Sequence, residues 1–343
     1  MYTMRDVARL AHVSVATVSG VLNSKRGVSP KLAKRVEEAV RALNYQPDNV
    51  ARSLRMRQTR TFGMVVTDLA SPFFVEMIRG VQNAAYHAGY SLTLCNTNDD
   101  LQEEELVMRT LFSRRVDGIL LASTCQHAAQ IPRAHRPPMV LVDRLPSGFT
   151  GDAVLLENVG AGRKATKHLI KLGHKRIAII AGRSDLSTGR DREDGFRRAA
   201  REAHLVIPEE LIEHGDFRLE GGYLCAMKLL RMPVRPTAII SCNYLMTVGL
   251  MRAIKEVGIE SPKEISIVGF DDFNTGLDGF SLAFLFKPQL TTIRQPAYEM
   301  GQKAFETLSE RIYNPQDESE AGTGKIITLD AELVVRGSTA RPS

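Results

Sequence analysis

Apolar positions recur at helical spacing three times in the first 46 residues, then give way to short continuous apolar runs. Val7, Leu10 and Ala11 share a face of a helix expected over about Met4–Ala11. Ser14 stands where an N-cap belongs, before a second helix over about Val15–Leu22 that carries Val18, Val21 and Leu22. Ser29-Pro30, a capping residue and a proline suited to the first helical position, open a third helix with Leu32, Val36, Ala39, Val40 and Leu43 on its apolar stripe. Pro47 ends it, and a short fourth helical stretch is expected over Asn49–Met56.

From Thr61 the texture changes. TFGMVV, YSLTLC, VDGILLA, PMVLVD, KRIAIIAG, TAIISC and ISIVGF read as buried strands, with amphipathic helical stretches between most of them. Repeated β-α-β units predict parallel sheets covered by helices, and there are too many strands for one sheet, so two α/β lobes are expected. The polar stretch NPQDESEAGTGK (314–325) reads as an exposed connector, followed by one strand, IITLDAELVV.

Charge sharpens this division. Residues 1–60 hold 12 Lys/Arg against 4 Asp/Glu, whereas the rest of the chain holds 33 against 35. The whole basic excess sits in these first 60 residues, as a surface that displaces counterions from DNA phosphates requires. No apolar run is long enough to span a bilayer and no apolar signal core opens the chain. Its four scattered cysteines suit a reducing compartment, so a cytoplasmic protein is expected.

The second helix is the natural reader of DNA. With Val18, Val21 and Leu22 packed inward, Ala16, Thr17, Gly20 and Asn23 point outward, a small and polar face that lets the backbone approach base edges. Val15 and Ala16 suit contact with a thymine methyl; Thr17, Ser19 and Asn23 suit phosphates. The run TMRDVARLAHVSVATVSGVLN, followed by VSPKLAKRVEEAVRALNYQP, resembles the headpiece of the lac-repressor/gal-repressor family of bacterial transcriptional regulators. DNVARSLR resembles that family's hinge helix, which implies that Leu54 wedges into the minor groove between flanking arginines. The expected DNA surface is Val15, Ala16, Thr17, Ser19, Asn23, Arg26, Tyr45, Asn49, Arg52, Leu54 and Arg55. Gly20 departs from the family, which often has a long polar residue there that reads a base.

The resemblance continues from Thr61 to about Gly337 through DLASPFF, VDGILL, VDR, HLIKLGHKRIA, RxxGF, GDF, VGFDD and LTTIRQP. It implies a periplasmic-binding-protein-like core whose cleft residues are Phe73, Phe74, Asp143, Arg192, Phe217, Asn243 and Asp271. Such a set suits a sugar or sugar derivative: Asp271 accepts hydroxyl hydrogen bonds, Arg192 donates a fork, Asn243 does both, and Phe217 covers an apolar sugar face. The lesser alternative for Phe73 and Phe74 is a place in the core, since they open a helix with an apolar face. Tyr244 departs from the family, which commonly has Asp after the asparagine.

The expected organisation is an all-α helix-turn-helix headpiece (1–46), a hinge and linker (47–60) and an α/β core (61–343). Lobe 1 is expected over about 61–158 and 287–320, lobe 2 over about 159–286 and 321–343. The expected function is a homodimer, or a larger assembly, that binds a near-palindromic DNA operator under the control of a small-molecule effector. No catalytic residue, metal or cofactor is expected. Two alternatives compete. Gly160–Ala165 fits the GxGxxA fingerprint of an NAD(P)-binding oxidoreductase, with Asp185 twenty residues on. A transport-type sugar-binding protein without DNA activity would explain the core and leave the basic headpiece without a role.

Overall fold

The computed structural model describes residues 2–22, 28–45, 58–131, 137–272, 281–314 and 324–343. The chain forms two compact units, Met1–Thr59 and Arg60–Ser343. The expected hinge helix, Asn49–Met56, lies outside the described residues.

In the first unit, α1 (Met4–Leu10) opens with a capping box: Asp6 N–H donates to Thr3 Oγ1, and Thr3 N–H donates to the Asp6 carboxylate at 2.9 Å. Ser14 Oγ accepts the Thr17 N–H at 3.1 Å and so caps α2 (Val15–Leu22). Ser29, extended, and Pro30 start α3 (Pro30–Ala42). Val7, Ala8, Ala11, Val18, Val36, Ala39 and Tyr45 form the core between them. The Arg35 guanidinium crosses from α3 to the end of α1, donating to the Ala11 carbonyl at 2.7 Å and the His12 carbonyl at 3.3 Å, which satisfies carbonyls a helix end leaves open.

The second unit holds two six-stranded sheets. The first comprises β1 (Thr61–Val66), β2 (Ser91–Asn96), β3 (Gly118–Leu121), β4 (Met139–Val142), β5 (Asp152–Leu156) and β11 (Ile326–Leu329), all parallel, in the order β11-β5-β4-β3-β1-β2. The second comprises β6 (Ile177–Ala181), β7 (Ile212–His214), β8 (Ala238–Ser241), β9 (Ser266–Phe270), β10 (Thr291–Arg294) and β12 (Glu332–Val334), in the order β12-β10-β9-β8-β6-β7. Only β12 runs antiparallel there. The helices are α4 (Pro72–His87), α5 (Leu101–Ser113), α6 (Asn158–Lys171), α7 (Ser187–Glu202), α8 (Leu219–Leu230), α9 (Tyr244–Val257) and α10 (Ala297–Tyr313). None of the described helices is long and apolar enough to cross a membrane.

The chain passes between the lobes after β5, between β10 and α10, and between β11 and β12. The last two crossings lie later than the expected boundaries near 287 and 321. Thr291, Thr292 and Ile293 are buried and register against Val268, Gly269 and Phe270, so β10 belongs to lobe 2. IITLDAELVV is two strands, because the chain changes sheets at Asp330-Ala331: Ile326–Leu329 registers with Ala153–Leu156, and Glu332–Val334 pairs with β10. β7, three residues long, carried too little apolar pattern to be read from the sequence. The C-terminal segment is tied into lobe 2. Ser338 Oγ accepts the Thr291 N–H at 2.8 Å and donates to the Ile267 carbonyl at 2.7 Å. The buried His174 ring sits 2.9 Å from both Thr237 Oγ1 and the Ala340 carbonyl.

Candidate functional site

On the headpiece, Val15 and Ala16 begin α2 with exposed side chains, while Thr17 and Ser19 are half-buried. Thr17 Oγ1 lies 2.9 Å from Ser14 Oγ, so its hydroxyl is shared with the helix cap. Two expectations change. Gly20 is buried, and a Cβ there would stand 3.2 Å from Val28 Cγ2. The chain returning toward α3 covers the position that a helical wheel alone turns outward. Tyr45, expected only as a DNA contact, is 8% exposed and also packs its ring in the headpiece core. Asn23, Arg26, Asn49, Arg52, Leu54 and Arg55 lie outside the described residues.

In the core, the cleft forms where parallel strands end, the place where α/β sheets bind ligands. Asp143 follows β4, Phe217 follows β7, Asn243 follows β8 and Asp271 follows β9. Phe73 and Phe74 occupy the first turn of α4, after β1, and Arg192 lies on α7, after β6. All seven expected residues line one cavity between the lobes, together with Asp68, Asp99, Arg144, Thr188, Asp216, Arg218 and Gln295 among others. Phe73 and Phe74, edge to face at 5.2 Å, are buried in the core while also lining the cavity.

Strain marks the site. Asp143, Phe217 and Asp271 adopt left-handed backbone, with φ of 66°, 65° and 72°. Aspartate tolerates this region; a bulky phenylalanine rarely enters it, and such outliers concentrate at ligand-binding positions. Phe217 is held there from two sides. Asn243 Nδ2 donates to its carbonyl at 2.7 Å, and Gly182 leaves room for its ring: a Cβ on Gly182 would lie 1.9 Å from Phe217 Cζ. Asn243 Oδ1 accepts the Met246 N–H at 2.8 Å and caps α9. The Asn243 amide therefore builds the site while also lining the cavity.

The charged groups are buried and mutually arranged. Arg192 Nε donates to Asn158 Oδ1 at 2.8 Å, Nη1 donates to the Cys242 carbonyl at 2.5 Å, and the guanidinium lies over the Phe270 ring at 4.7 Å. Arg144 forks onto Asp99 and lies over the Phe217 ring at 5.8 Å from the opposite lobe. Among the described residues its buried Nε has no hydrogen-bond partner and lies 3.6 Å from Asp143 Oδ2. Asp271 accepts from the Tyr244 N–H at 3.0 Å and from Gln295 Nε2. Burial pushes the carboxyls of Asp143 and Asp271 upward, against the pull of Arg144 and Arg192 on the first and of Arg192 on the second. Tyr244 contributes its backbone N–H to this set, and its side chain does not line the cavity. Among the residues missed from sequence, Arg144 and Gln295 stand inside motifs that drew attention for other reasons, VDR and LTTIRQP.

Among the described residues, three hydrogen bonds join the lobes across the cleft. Gln126 Nε2 donates to Asp185 Oδ2 at 2.8 Å, Leu145 N–H to Ser187 Oγ at 3.0 Å, and Arg218 Nη2 to the Asn98 carbonyl at 2.9 Å.

The dinucleotide fingerprint is overturned. Gly160–Ala165 lies within α6 and not in a loop before it. The Glu157 side chain takes the Gly160 N–H, placing a carboxylate where a pyrophosphate would sit. Gly162 serves packing, since a Cβ there would stand 2.1 Å from the Arg192 carbonyl oxygen. Asp185, the expected ribose acid, pairs with Arg183 and Gln126.

Two family models match: "Bacterial regulatory proteins, lacI family" over residues 3–48, and "Periplasmic binding proteins and sugar binding domain of LacI family" over residues 59–332. The ribose operon repressor of Escherichia coli K12 is 41% identical, with 98% of this chain and 100% of the relative covered. The PurR repressor of Aliivibrio salmonicida is 39% identical, covering 98% and 99%. Among solved structures, the lac repressor dimer bound to operator and an anti-inducer superposes with a TM-score of 0.84 at 26% identity, covering 99% of both chains. A ribose-bound LacI family regulator from Enterococcus faecium gives 0.69 at 27%, covering 82% of this chain and 100% of that one. The chain thus belongs to the lacI family of bacterial regulatory proteins, and is a DNA-binding transcriptional regulator under small-molecule control, not an enzyme.

Proposed function

We propose that this chain is a cytoplasmic, homodimeric repressor whose effector is a pentose of the ribose kind. The observation that carries the effector is the convergence of buried Asp143, Asp271, Arg144 and Arg192 with Phe74 and Phe217 in one cleft. Carboxylates accept vicinal hydroxyls, guanidinium groups donate to the remaining oxygens, and the aromatic rings cover the apolar sugar faces. The relatives that act on a ribose operon or hold ribose support the same assignment.

Two headpieces in a dimer would present paired α2 helices to a near-palindromic operator, Val15 and Ala16 meeting base edges and Thr17 and Ser19 the phosphates. Residues 47–60 link each headpiece to the core, so a shift of the lobes on binding sugar reaches the DNA through them. A coupling of about 1–3 kcal/mol changes operator affinity by about 5- to 150-fold. Isothermal titration with ribose and with hypoxanthine, followed by operator gel shifts with and without the bound compound, tests the proposal. Hypoxanthine binding without ribose binding would replace the pentose with a purine; an operator affinity indifferent to bound ribose would remove the control.

A further inference from the structure

Resting on the pentose reading, we infer that the cleft is built to reject anions, so that the regulator senses a free sugar and not its phosphate ester or acid.

The balance of charge is the first argument. Asp68, Asp99, Asp143, Asp216 and Asp271 line the cavity, against Arg144, Arg192 and Arg218, with no lysine or histidine among the lining residues. Each guanidinium has part of its donor set committed within the protein, Arg192 to Asn158 and the Cys242 carbonyl, Arg144 to Asp99, and Arg218 to the Asn98 carbonyl, and offers its remaining N–H groups to single hydroxyls. A phosphate entering the cleft meets carboxylates in excess, and two of them, Asp143 and Asp271, are buried where water screens charge poorly.

The helix ends give a second, independent argument. Helix N-termini are the usual resting place of phosphate groups, because their N–H groups and dipoles favour negative charge. At the start of α9, the Tyr244 N–H is taken by the Asp271 carboxylate and the Met246 N–H by Asn243. At the start of α8, Asp216 Oδ1 accepts the Arg218 N–H at 2.9 Å, and its carboxylate lies against Gly221, 2.0 Å from where a Cβ would stand. An acid thus stands at each of these two ends, Asp271 on the first N–H of α9 and Asp216 on the N–H of Arg218 just before α8. A regulator so built reports the free sugar and goes blind to it once a hydroxyl is phosphorylated.

Isothermal titration of the full chain with D-ribose and D-ribose 5-phosphate tests this. Ribose should bind, and the ester at least about 100-fold more weakly, because like charges brought together in an interface repel strongly. In Asp216→Asn the ratio of the two affinities should shrink several-fold. Equal affinities for sugar and ester overturn the inference and leave the pentose reading standing. Binding of neither overturns both. A large ratio unchanged in Asp216→Asn and in high salt assigns the rejection to shape, and overturns the argument from charge.

Discussion

Asn243 Nδ2 donates to the Phe217 carbonyl at 2.7 Å, while the same side chain's oxygen caps α9 through the Met246 N–H. One amide thus fixes a helix start and holds a phenylalanine in left-handed backbone at the cleft. Asn243→Ala should lower stability by about 1 kcal/mol through the lost cap and weaken effector binding about tenfold or more as Phe217 relaxes. Asn243→Ser keeps a capping oxygen but cannot reach the carbonyl, so it should recover the stability and not the affinity. Thermal unfolding with calorimetric titration of both variants separates the two roles; recovered affinity in the serine variant would show that the bond to Phe217 is dispensable.

Gly182 supplies the space that Phe217 fills. A Cβ there would lie 1.9, 2.1 and 2.7 Å from three atoms of the ring, so Gly182→Ala must displace it. Overpacking of this kind costs about 1–3 kcal/mol. The larger effect should fall on effector affinity, because the ring belongs to the cavity wall. A titration in which the alanine variant binds as tightly as the parent chain would place the ring outside the binding surface.

Burial lowers the pKa of His174 and, beside it, that of His168, whose shift is deepened by the charge of His174. The native imidazoles stay neutral where the unfolded chain, with ordinary values near 6.5, already binds protons. The unfolded state therefore gains protons first, and stability falls as pH drops below about 6.5. Urea midpoints between pH 7.5 and 5 should decline. The decline should flatten in His174→Asn, which cannot protonate; an equally steep decline there would assign the pH dependence to other groups.

Much of the cleft could be read from the residues because of where they stand. A carboxylate directly after a buried parallel strand, as at Asp143 and Asp271, has little to do except face a ligand or a cation. What escaped depends on contacts between segments far apart in the chain. Gly20 sits on the outward side of α2 until Val28 returns over it. Tyr45 shows no part in the core until the three helices close around its ring. The lobe crossings at 295–296 and 330–331 were misplaced because a buried run does not disclose which of two similar sheets it joins; only the register of β10 on β9 and of β11 on β5 decides that. Arg144 shows a subtler limit: its neighbour Asp143 drew the attention, and its pairing with Asp99 rests on a residue 45 positions away.

Val15 and Arg35 divide the work of the headpiece, and the division can be tested. Val15 is 42% exposed at the start of α2, so Val15→Ala should change stability by less than about 0.5 kcal/mol. As a reader of one base pair, it should lose about 1–3 kcal/mol of discrimination at that pair alone. Arg35 instead bonds the carbonyls of Ala11 and His12 and fixes the turn before α2. Arg35→Ala should destabilise the headpiece by about 1.5–3 kcal/mol, the range for hydrogen bonds to a charged group, and weaken binding evenly across operator variants. Fluorescence anisotropy against a panel of single-base operator substitutions, with melting curves for each variant, distinguishes the outcomes. A uniform loss from Val15→Ala would demote it from reader to support, and a base-specific loss from Arg35→Ala would place its guanidinium on the DNA.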